Sequence, residues 1–303
     1  VMMVPTNPRY ILVTPMRDES RNLHELFVSV LSQSLQPSLW IIVDDGSRDE
    51  SLSLATRLAN QQDWIRVVAR GAHASERNWL RIGEVISFGI QAGLQICLNS
   101  TMAPALVAVL DADTVVEANY FERLASDLAR NPKAVIATGV IHEVFDSGDR
   151  GPDLPRGCAR VYKKSFLDEV AGFPEAPSPE TVMEIKARKR NYEIFIDEGA
   201  KGRTHAIPRN ANRFRNLGIS YYYLGLDVLS MLLRTLLFSI DSGVRMGHSF
   251  FDAYMAEVRS KSPRIDDSEI REYFSRSWRR LFLSRESVAG IWSFLKSGFT
   301  AHE

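Results

Sequence analysis

The sequence predicts an α/β fold with a mostly parallel central sheet flanked by helices. Two observations support this prediction. Short runs of aliphatic and β-branched residues alternate with longer amphipathic segments through the first half of the chain, as in sheets whose crossover helices cover both faces. The run at residues 107–110 is apolar at every position, which is typical of a central strand buried on both faces.

The same pattern gives the order of the elements. Strands are predicted for β-branched and aromatic runs at residues 10–14, 39–45, 64–69 and 106–111. Helices are predicted where apolar residues recur at helical spacing, at about residues 20–34, 50–61 and 82–97. A further helix should follow residue 117 and end before Pro132, and a strand should follow at 135–140 with 141–145 as its continuation. Residues 146–155 are polar and rich in glycine and proline, so we predict a loop there.

Acidic residues follow two of the predicted strands. Asp111 and Asp113 come directly after the strand at 106–111, and the period of two in a strand places both on one side. Asp44 and Asp45 end the strand at 39–45. Ligands of open α/β sheets bind beyond the carboxyl ends of the strands. The acids therefore predict a ligand site at this edge, where Asp111 and Asp113 would bind Mg²⁺ or Mn²⁺, cations that prefer oxygen ligands.

Composition excludes several classes of protein. The 303 residues include 37 lysines and arginines and 37 aspartates and glutamates, so no net positive charge favours nucleic acid as a partner. Two cysteines are too few for a disulfide framework. Residues 1–5 lack the features of a signal peptide, and we expect a cytoplasmic location. No glycine-rich dinucleotide or P-loop motif occurs, which disfavours dehydrogenases and P-loop ATPases.

Three segments together resemble the family 2 glycosyltransferases, which are inverting enzymes with the GT-A fold. These segments are Thr14-Pro15 with Asp18-Glu19, the acidic turn at residues 43–51, and the Asp-Ala-Asp (DxD) motif at 111–113. The resemblance covers about the first two thirds of the chain. It implies a nucleoside diphosphate sugar as donor, a divalent cation, and a saccharide or polyprenyl phosphate as acceptor.

The resemblance also implies roles for single residues. Asp45 would contact the base or ribose, although an Asp-Gly pair also forms simple turns. Thr14, Pro15 and Glu19 would line the nucleoside pocket. Arg77 would lie near the nucleotide, and its alternative is an ion pair with Glu76 or Glu84. Asp111 and Asp113 would contact the donor and, with His205, the metal; a lone histidine is otherwise structural or exposed.

An inverting transfer needs a base to accept the proton of the acceptor hydroxyl. In the family this base is an acid at the N-terminus of a helix, and residues 177–188 predict such a helix here. Glu180 is therefore our first candidate, with Glu184 second. Each could instead be an ordinary acid in a helix, favoured in the first turn by the helix dipole. With an anionic acceptor, Glu180 would orient rather than deprotonate.

The last third of the chain changes character. Residues 219–240 are apolar over nearly the length needed to cross a bilayer, but Asp227 and Arg234 argue against crossing. This segment suits a core helix or a helix at the inner membrane surface. Amphipathic helices are also predicted at 248–260 and 268–296. We thus divide the chain into a catalytic domain, 1–215, and a helical C-terminal region, 216–303, which would clamp the acceptor, touch anionic lipid or pair two subunits.

Two other functions remain open from the sequence. A protein could keep the nucleotide-sugar pocket and only bind its ligand, without turnover. A sugar nucleotidyltransferase has a similar sheet but normally begins with a glycine-rich turn after the first strand, and residues 14–21 contain no glycine.

Overall fold

The computed structural model describes residues 8–70, 80–100, 102–144, 150–205, 210–275 and 277. Contacts divide the chain into two compact units, residues 1–207 and 208–303. The division falls a few residues before the boundary predicted from the sequence. Each unit is described by itself below.

The first half of the first unit contains every predicted element. Its strands are β1 (Tyr10–Met16), β2 (Leu39–Asp44), β3 (Ile65–Ala69) and β4 (Leu106–Leu110). Its helices are α1 (Leu23–Leu31), α2 (Ser51–Ala59) and α3 (Arg81–Asn99). β1, β2, β3 and β4 pair in parallel in the order β3-β2-β1-β4, which confirms the α/β fold predicted from the alternating pattern.

The second half extends this sheet mainly with antiparallel pairs. Its elements in chain order are β5 (Thr114–Val116), α4 (Tyr120–Arg130), β6 (Ala134–Val144), β7 (Arg150–Lys163), α5 (Lys164–Glu169), α6 (Pro179–Lys189) and β8 (Glu193–His205). Within the described residues the sheet has eight strands, in the order β3-β2-β1-β4-β7-β6-β8-β5. β7 runs antiparallel to both of its neighbours, and β5 runs antiparallel to β8.

The loop predicted at residues 146–155 is wrong in its second half, because β7 begins at Arg150. Val140 pairs with Pro155 and Val144 with Arg150, across two register shifts. Pairing with the neighbouring strand thus overrides the preference of this glycine- and proline-rich segment for a loop. The register shifts accommodate residues that do not fit a regular ladder. β5, a strand of three residues, was not predicted.

The core lies on both faces of the parallel strands. Every residue of β1, β2 and β4 is buried. Helices α1, α2 and α4 cover one face of the sheet, and α3, α5 and α6 cover the other. α3 approaches the sheet closely at Gly89, where an added Cβ would lie 2.6 Å from Val13 Cγ1 and 2.7 Å from Val43 Cγ2. This close contact fixes the helix whose first residue is Arg81.

The second unit is helical. It contains α7 (Ala211–Tyr223), α8 (Val228–Ser242), α9 (Val244–Arg259) and α10 (Ser268–Ser275), packed partly through ring contacts of Phe238 with Phe214 and Phe250. The apolar segment at 219–240 is divided between α7 and α8. Gly225 takes a positive φ of 95°, and the Asp227 side chain accepts the Ser230 N–H to start α8. Among the described residues, no helix combines the length and apolar character needed to span a bilayer.

We predict that Gly89→Ala lowers the free energy of unfolding by about 1–3 kcal/mol, because the new methyl group overpacks the contact between α3 and the sheet. Urea denaturation measures this change. Leu98→Ala is the control on the same helix, since Leu98 is 77% exposed and surface changes cost about 0.5 kcal/mol or less. Equal effects of the two substitutions would contradict the prediction.

Candidate functional site

The carboxyl ends of three parallel strands meet at one edge of the sheet. Val13 of β1 pairs with Ile41 of β2 on one side and with Val109 of β4 on the other. The acids that follow β2 and β4 therefore emerge at the same edge of the sheet, on either side of β1. This convergence is what the buried apolar runs predict for parallel strands.

The loops after β1 and β2 are joined by hydrogen bonds. Ser47 Oγ accepts the Asp18 N–H at 3.1 Å, and Asp18 Oδ1 accepts the Arg48 N–H at 2.6 Å. Ser51 Oγ accepts the Glu19 N–H at 2.7 Å. The Asp44 carboxylate accepts N–H groups of the turn that follows it. Asp44 thus closes the turn, and its neighbour Asp45 is held against the loop of Glu19.

Asp45 is buried and is held by arginines. The Arg81 guanidinium contacts the Asp45 carboxylate through Nε, and Nη2 donates to the Asp45 carbonyl at 2.6 Å. Arg70 Nη1 lies 3.8 Å from Asp45 Oδ1, and Arg70 Nη2 pairs with Glu84 at 2.7 Å. Asp45 Oδ1 is buried without a hydrogen-bond partner. Arg70 Nη1 is likewise buried without a hydrogen-bond partner, so the two unsatisfied groups face each other and the carboxylate is enclosed by the two arginines.

Asp45 and the Asp-Ala-Asp motif share a cavity, here called cavity A. Its volume is about 340 Å³. The residues that line it are Pro15, Met16, Arg17, Glu19, Asp45, Arg81, Ile82, Val85, Asp111, Ala112 and Asp113. Five predicted site residues, Pro15, Glu19, Asp45, Asp111 and Asp113, thus lie around one space.

Thr14 has a different environment. Its side chain is fully buried, and its hydroxyl accepts the Trp40 indole N–H at 3.0 Å. This bond ties β1 to β2 inside the core. Arg77 lies outside the described residues, and Arg81, one helical turn further along the chain, makes the charge contact at Asp45.

A second cavity, cavity B, adjoins the first. It also measures about 340 Å³ and shares Ile82, Asp111 and Asp113 with cavity A. The remaining lining residues are Ile86, Glu143, Gly157, Cys158, Ser178, Glu180, Thr204 and His205. The two acids of the motif therefore stand at the border between a space beside Asp45 and a space beside Glu180.

Backbone and hydroxyl groups orient the two acids of the motif. The Asp111 N–H donates to the Cys158 carbonyl at 2.8 Å. Asp113 Oδ1 accepts the hydroxyl hydrogens of Thr114 and Thr204, each at 3.2 Å. These bonds leave most of the carboxylate oxygen surface free for a ligand.

Negative charge accumulates around Asp111, at the border of the two cavities. Burial raises the pKa of Asp111 well above its usual value, and the charges of Asp113, Glu180 and Glu19 raise it further. The pKa of Glu19 is also raised, first by burial, although a hydrogen bond from Asn22 opposes the shift. Carboxylates that repel one another in a partly dry space are stabilised by a bound cation.

The residues present fit a hard divalent cation. Mg²⁺ is commonly held by one or two protein carboxylates, with waters and substrate phosphates completing its shell. Asp111 and Asp113 supply such carboxylates, and His205 lines the same cavity B. Among the described residues, no three acidic, histidine or cysteine side chains already converge on one point. The donor's own phosphates would therefore have to supply ligands.

Glu180 and Glu184 lie one turn apart on α6 but differ in surroundings. Glu180 lines cavity B, and its side chain crosses Gly157, where an added Cβ would lie 2.7 Å from Glu180 Cγ. Burial raises the pKa of Glu180, and the nearby charge of Arg160 partly offsets this. Glu184 accepts from Arg160 at 2.6 Å and from Arg188 at 3.2 Å, and it lines neither cavity.

The sequence analysis did not identify three residues of the site. Arg81 follows no motif, and its role depends on where α3 begins. Arg160 and Gly157 lie on β7, in or beside the segment predicted as a loop. A search of the sequence for cations able to neutralise the acids would have included Arg81 and Arg160 among many other arginines. The sequence alone gives no reason to select these two.

Comparisons with known proteins agree with this geometry. The sequence model of the family described as "Glycosyl transferase family 2" matches residues 11–177. That range includes the loops that carry Asp45, Asp111 and Asp113 and ends just before α6. Comparison with curated protein sequences gives no match.

Solved structures share the fold. The mannosyltransferase PcManGT from Pyrobaculum calidifontis, in complex with GDP-Man and Mn²⁺, superposes with a TM-score of 0.55 at 14% identity, over 96% of this chain and 84% of that chain. Residues 1–349 of S. aureus TarS, in complex with UDP, give 0.51 at 14% identity, over 90% and 91%. GalNAc-T7 with UDP, GalNAc and Mn²⁺ gives 0.53 at 11%, over 85% of this chain and 58% of that chain. At these identities the similarity shows the fold, which is that of GT-A glycosyltransferases.

We predict that Arg160→Met lowers the free energy of unfolding by about 1.5–3 kcal/mol, because a buried, charged hydrogen bond to Glu184 is lost. Arg188→Met is the matched control: Arg188 contacts the same carboxylate but its side chain is 61% exposed, and such pairs contribute about 0.5 kcal/mol. Chemical denaturation of both variants measures the difference. If Arg188→Met lowers the free energy of unfolding as much as Arg160→Met does, the prediction that the buried ion pair stabilises the protein more than the exposed one is wrong.

Proposed function

The chain belongs to glycosyl transferase family 2, and from this membership we propose that it is an inverting transferase with metal assistance. It would move a sugar from a nucleoside diphosphate sugar to a saccharide or lipid-linked acceptor. One observation carries the proposal: cavities A and B meet at Asp111 and Asp113, with Asp45 on one side and Glu180 on the other. The residues proposed for donor recognition, cation binding and proton acceptance thus lie next to one another.

Cavity A suits the nucleoside part of the donor. Asp45 lines this cavity, where its carboxylate would accept a hydrogen bond from an N–H group of a base or from a ribose hydroxyl. Arg81 fixes the carboxylate in place and also lines the cavity. Pro15 and Glu19 form further parts of the wall. The structures of similar fold contain GDP-Man or UDP, which supports a nucleotide donor.

Asp111, Asp113 and His205 would hold the divalent cation. When bound, this ion neutralises charge on the departing nucleoside diphosphate, as a Lewis acid does at a leaving oxygen. The protein's own contribution is to place the carboxylates of Asp111 and Asp113 where cavities A and B meet. Thr114 and Thr204 orient Asp113 through their hydroxyl groups.

Glu180 would act as the general base. The acceptor hydroxyl oxygen forms a bond to the anomeric carbon, the bond from that carbon to the phosphate oxygen breaks, and the electron pair leaves with the diphosphate. The hydroxyl proton passes to the Glu180 carboxylate. A single displacement from the face opposite the leaving group inverts the anomeric configuration. A raised pKa suits this role, because a carboxylate that binds protons more tightly is a better acceptor.

We predict that Glu180→Gln lowers kcat for transfer to a sugar hydroxyl by about 10²–10⁴-fold, the usual contribution of a general base. Glu184→Gln should lower it by less than about tenfold, since Glu184 is engaged by two arginines outside the cavities. Steady-state kinetics of both variants, with circular dichroism to confirm folding, make the comparison. Near-normal turnover by Glu180→Gln would exclude Glu180 as the base.

We predict that nucleoside diphosphate sugars raise the melting temperature of the protein, and that Mn²⁺ or Mg²⁺ increases the shift, since ligands that bind the folded state stabilise it. Arg81→Met should weaken the shift because Asp45 loses its orienting contacts. Arg130→Met, on the exposed end of α4, serves as the control for loss of one arginine. A thermal-shift panel of nucleotide sugars, with and without the cations, measures these effects. Donor binding without any turnover would instead favour a protein that only binds the nucleotide sugar.

A further inference from the structure

The cavities of the site continue along the exposed face of β8, away from the Asp-Ala-Asp motif. We propose that the acceptor is a carbohydrate chain of several residues, whose attacking residue lies in cavity B and whose next residues lie on this face of β8. This inference rests on the proposed function, because it assigns cavity B to the acceptor. It deepens that function by naming the substrate class, an oligosaccharide rather than a single sugar.

Two further cavities extend the site beyond cavity B. Cavity C has a volume of about 360 Å³ and shares Asp113 and His205 with cavity B. Cavity D has a volume of about 560 Å³ and shares Val115, Val144 and Arg203 with cavity C. Among the described residues, cavity D has no lining residue in common with cavity A or cavity B. Cavities B, C and D therefore form a row that starts at the candidate base and leads away from the proposed nucleoside site.

This row of cavities follows one face of one strand. Lys201, Arg203 and His205 are exposed and alternate with buried residues at the end of β8, so their side chains project from the same face. His205 lines cavities B and C, Arg203 lines C and D, and Lys201 lines D. At about 3.3 Å per residue, the strand rises about 13 Å between Lys201 and His205. That distance exceeds the length of one sugar ring, so a ligand that follows the row has more than one residue.

Neighbouring strands add apolar side chains to this face. Val115 of β5 pairs with Arg203, and Val144 of β6 pairs with His205. Residues that pair across neighbouring strands project from the same side of the sheet, and both valines line cavities C and D. Sugar rings pack their C–H faces on apolar side chains while polar groups bind their hydroxyls. The face therefore offers both kinds of contact to a sugar chain.

The charged side chains of cavities C and D balance one another. Among the described residues, the lysines and arginines that line them are Arg21, Lys201 and Arg203, and the carboxylates are Glu25, Asp113 and Glu117. Arg203 pairs with Glu25 at 2.7 Å, and both side chains are more than half exposed. The bound cation and the donor diphosphate would add charges of opposite sign. A sugar hydroxyl both donates and accepts hydrogen bonds, so a neutral chain of sugars suits a wall that carries cations and carboxylates together.

The test measures transfer to sugar chains of increasing length by the wild-type protein, with Mn²⁺ and the donor that gives the largest thermal shift. The acceptors are methyl glycosides of single sugars and the cello-, malto-, xylo- and chito-oligosaccharides of two to six residues. Undecaprenyl phosphate in detergent is the comparison acceptor. Release of nucleoside diphosphate is followed above the slow release caused by water, and the products are identified by mass spectrometry.

We expect at least one series in which kcat/KM is about tenfold or more higher for the tetrasaccharide than for the single sugar, mainly through a lower KM. Tenfold is the effect of about one or two additional hydrogen bonds. Lys201→Met removes the cation at the far end of the row and should reduce this ratio to less than about threefold. Lys133→Met is the matched control and should keep the ratio, because Lys133 is exposed just before β6 and lines none of the four cavities.

Other results would overturn the inference. A ratio near one in every series, or faster transfer to undecaprenyl phosphate than to every oligosaccharide, contradicts it while leaving a transferase. The same ratio in Lys201→Met as in the wild type, or an equal loss in Lys133→Met, contradicts the path along β8. A protein that binds the donor but releases no nucleoside diphosphate with any acceptor, water included, contradicts the proposed function and this inference with it.

Discussion

The site depends on one backbone register, that of β7 against β4. Leu110 pairs with Ala159, and the next bond of the ladder joins the Asp111 N–H to the Cys158 carbonyl. The residue before Cys158 is Gly157, over which the Glu180 side chain lies. A single antiparallel pairing therefore positions both the Asp-Ala-Asp motif and the floor beneath the candidate base. A slip of one residue would turn the side chains of β7 to the opposite face, so this register specifies the site more tightly than any side-chain contact does.

Partners, rather than residue type, distinguish the acids of the site. Asp45 is paired with Arg81 and lines cavity A, which suits recognition of a polar N–H or O–H group. Asp111 has no such cation, and its raised pKa reports repulsion from its neighbours as well as burial. A carboxylate that is already paired with an arginine suits a neutral hydrogen-bond donor as ligand. A carboxylate that is repelled by neighbouring acids is stabilised by a bound cation. Under the proposed function, the two carboxylates would divide the recognition of one donor between its nucleoside and its diphosphate.

The sequence was sufficient for the parallel half of the fold and for where its acids emerge, because buried strands are apolar at every position and their carboxyl ends share an edge. It was insufficient for the first part of β7, residues 150–155, where pairing with β6 makes a strand of a segment that is rich in glycine and proline. Arg81 and Arg160 depend on tertiary neighbours, which single-sequence patterns do not report. The second unit shows the same limit: the apolar run looked continuous, yet the break at Gly225 and the capping Asp227 divide it into two helices.

The two glutamates of α6 show how local geometry assigns chemistry to identical side chains. They lie one turn apart, so both could face the same way, and the sequence offers no reason beyond position to prefer the first. Glu184 meets Arg160 and Arg188, and both of its carboxylate oxygens are engaged. Glu180 faces the cavity, and burial raises its affinity for a proton while the charge of Arg160 limits that rise. Arg160 therefore acts on both glutamates: it pairs with Glu184, and its charge limits the rise in the pKa of Glu180, the residue proposed as the base.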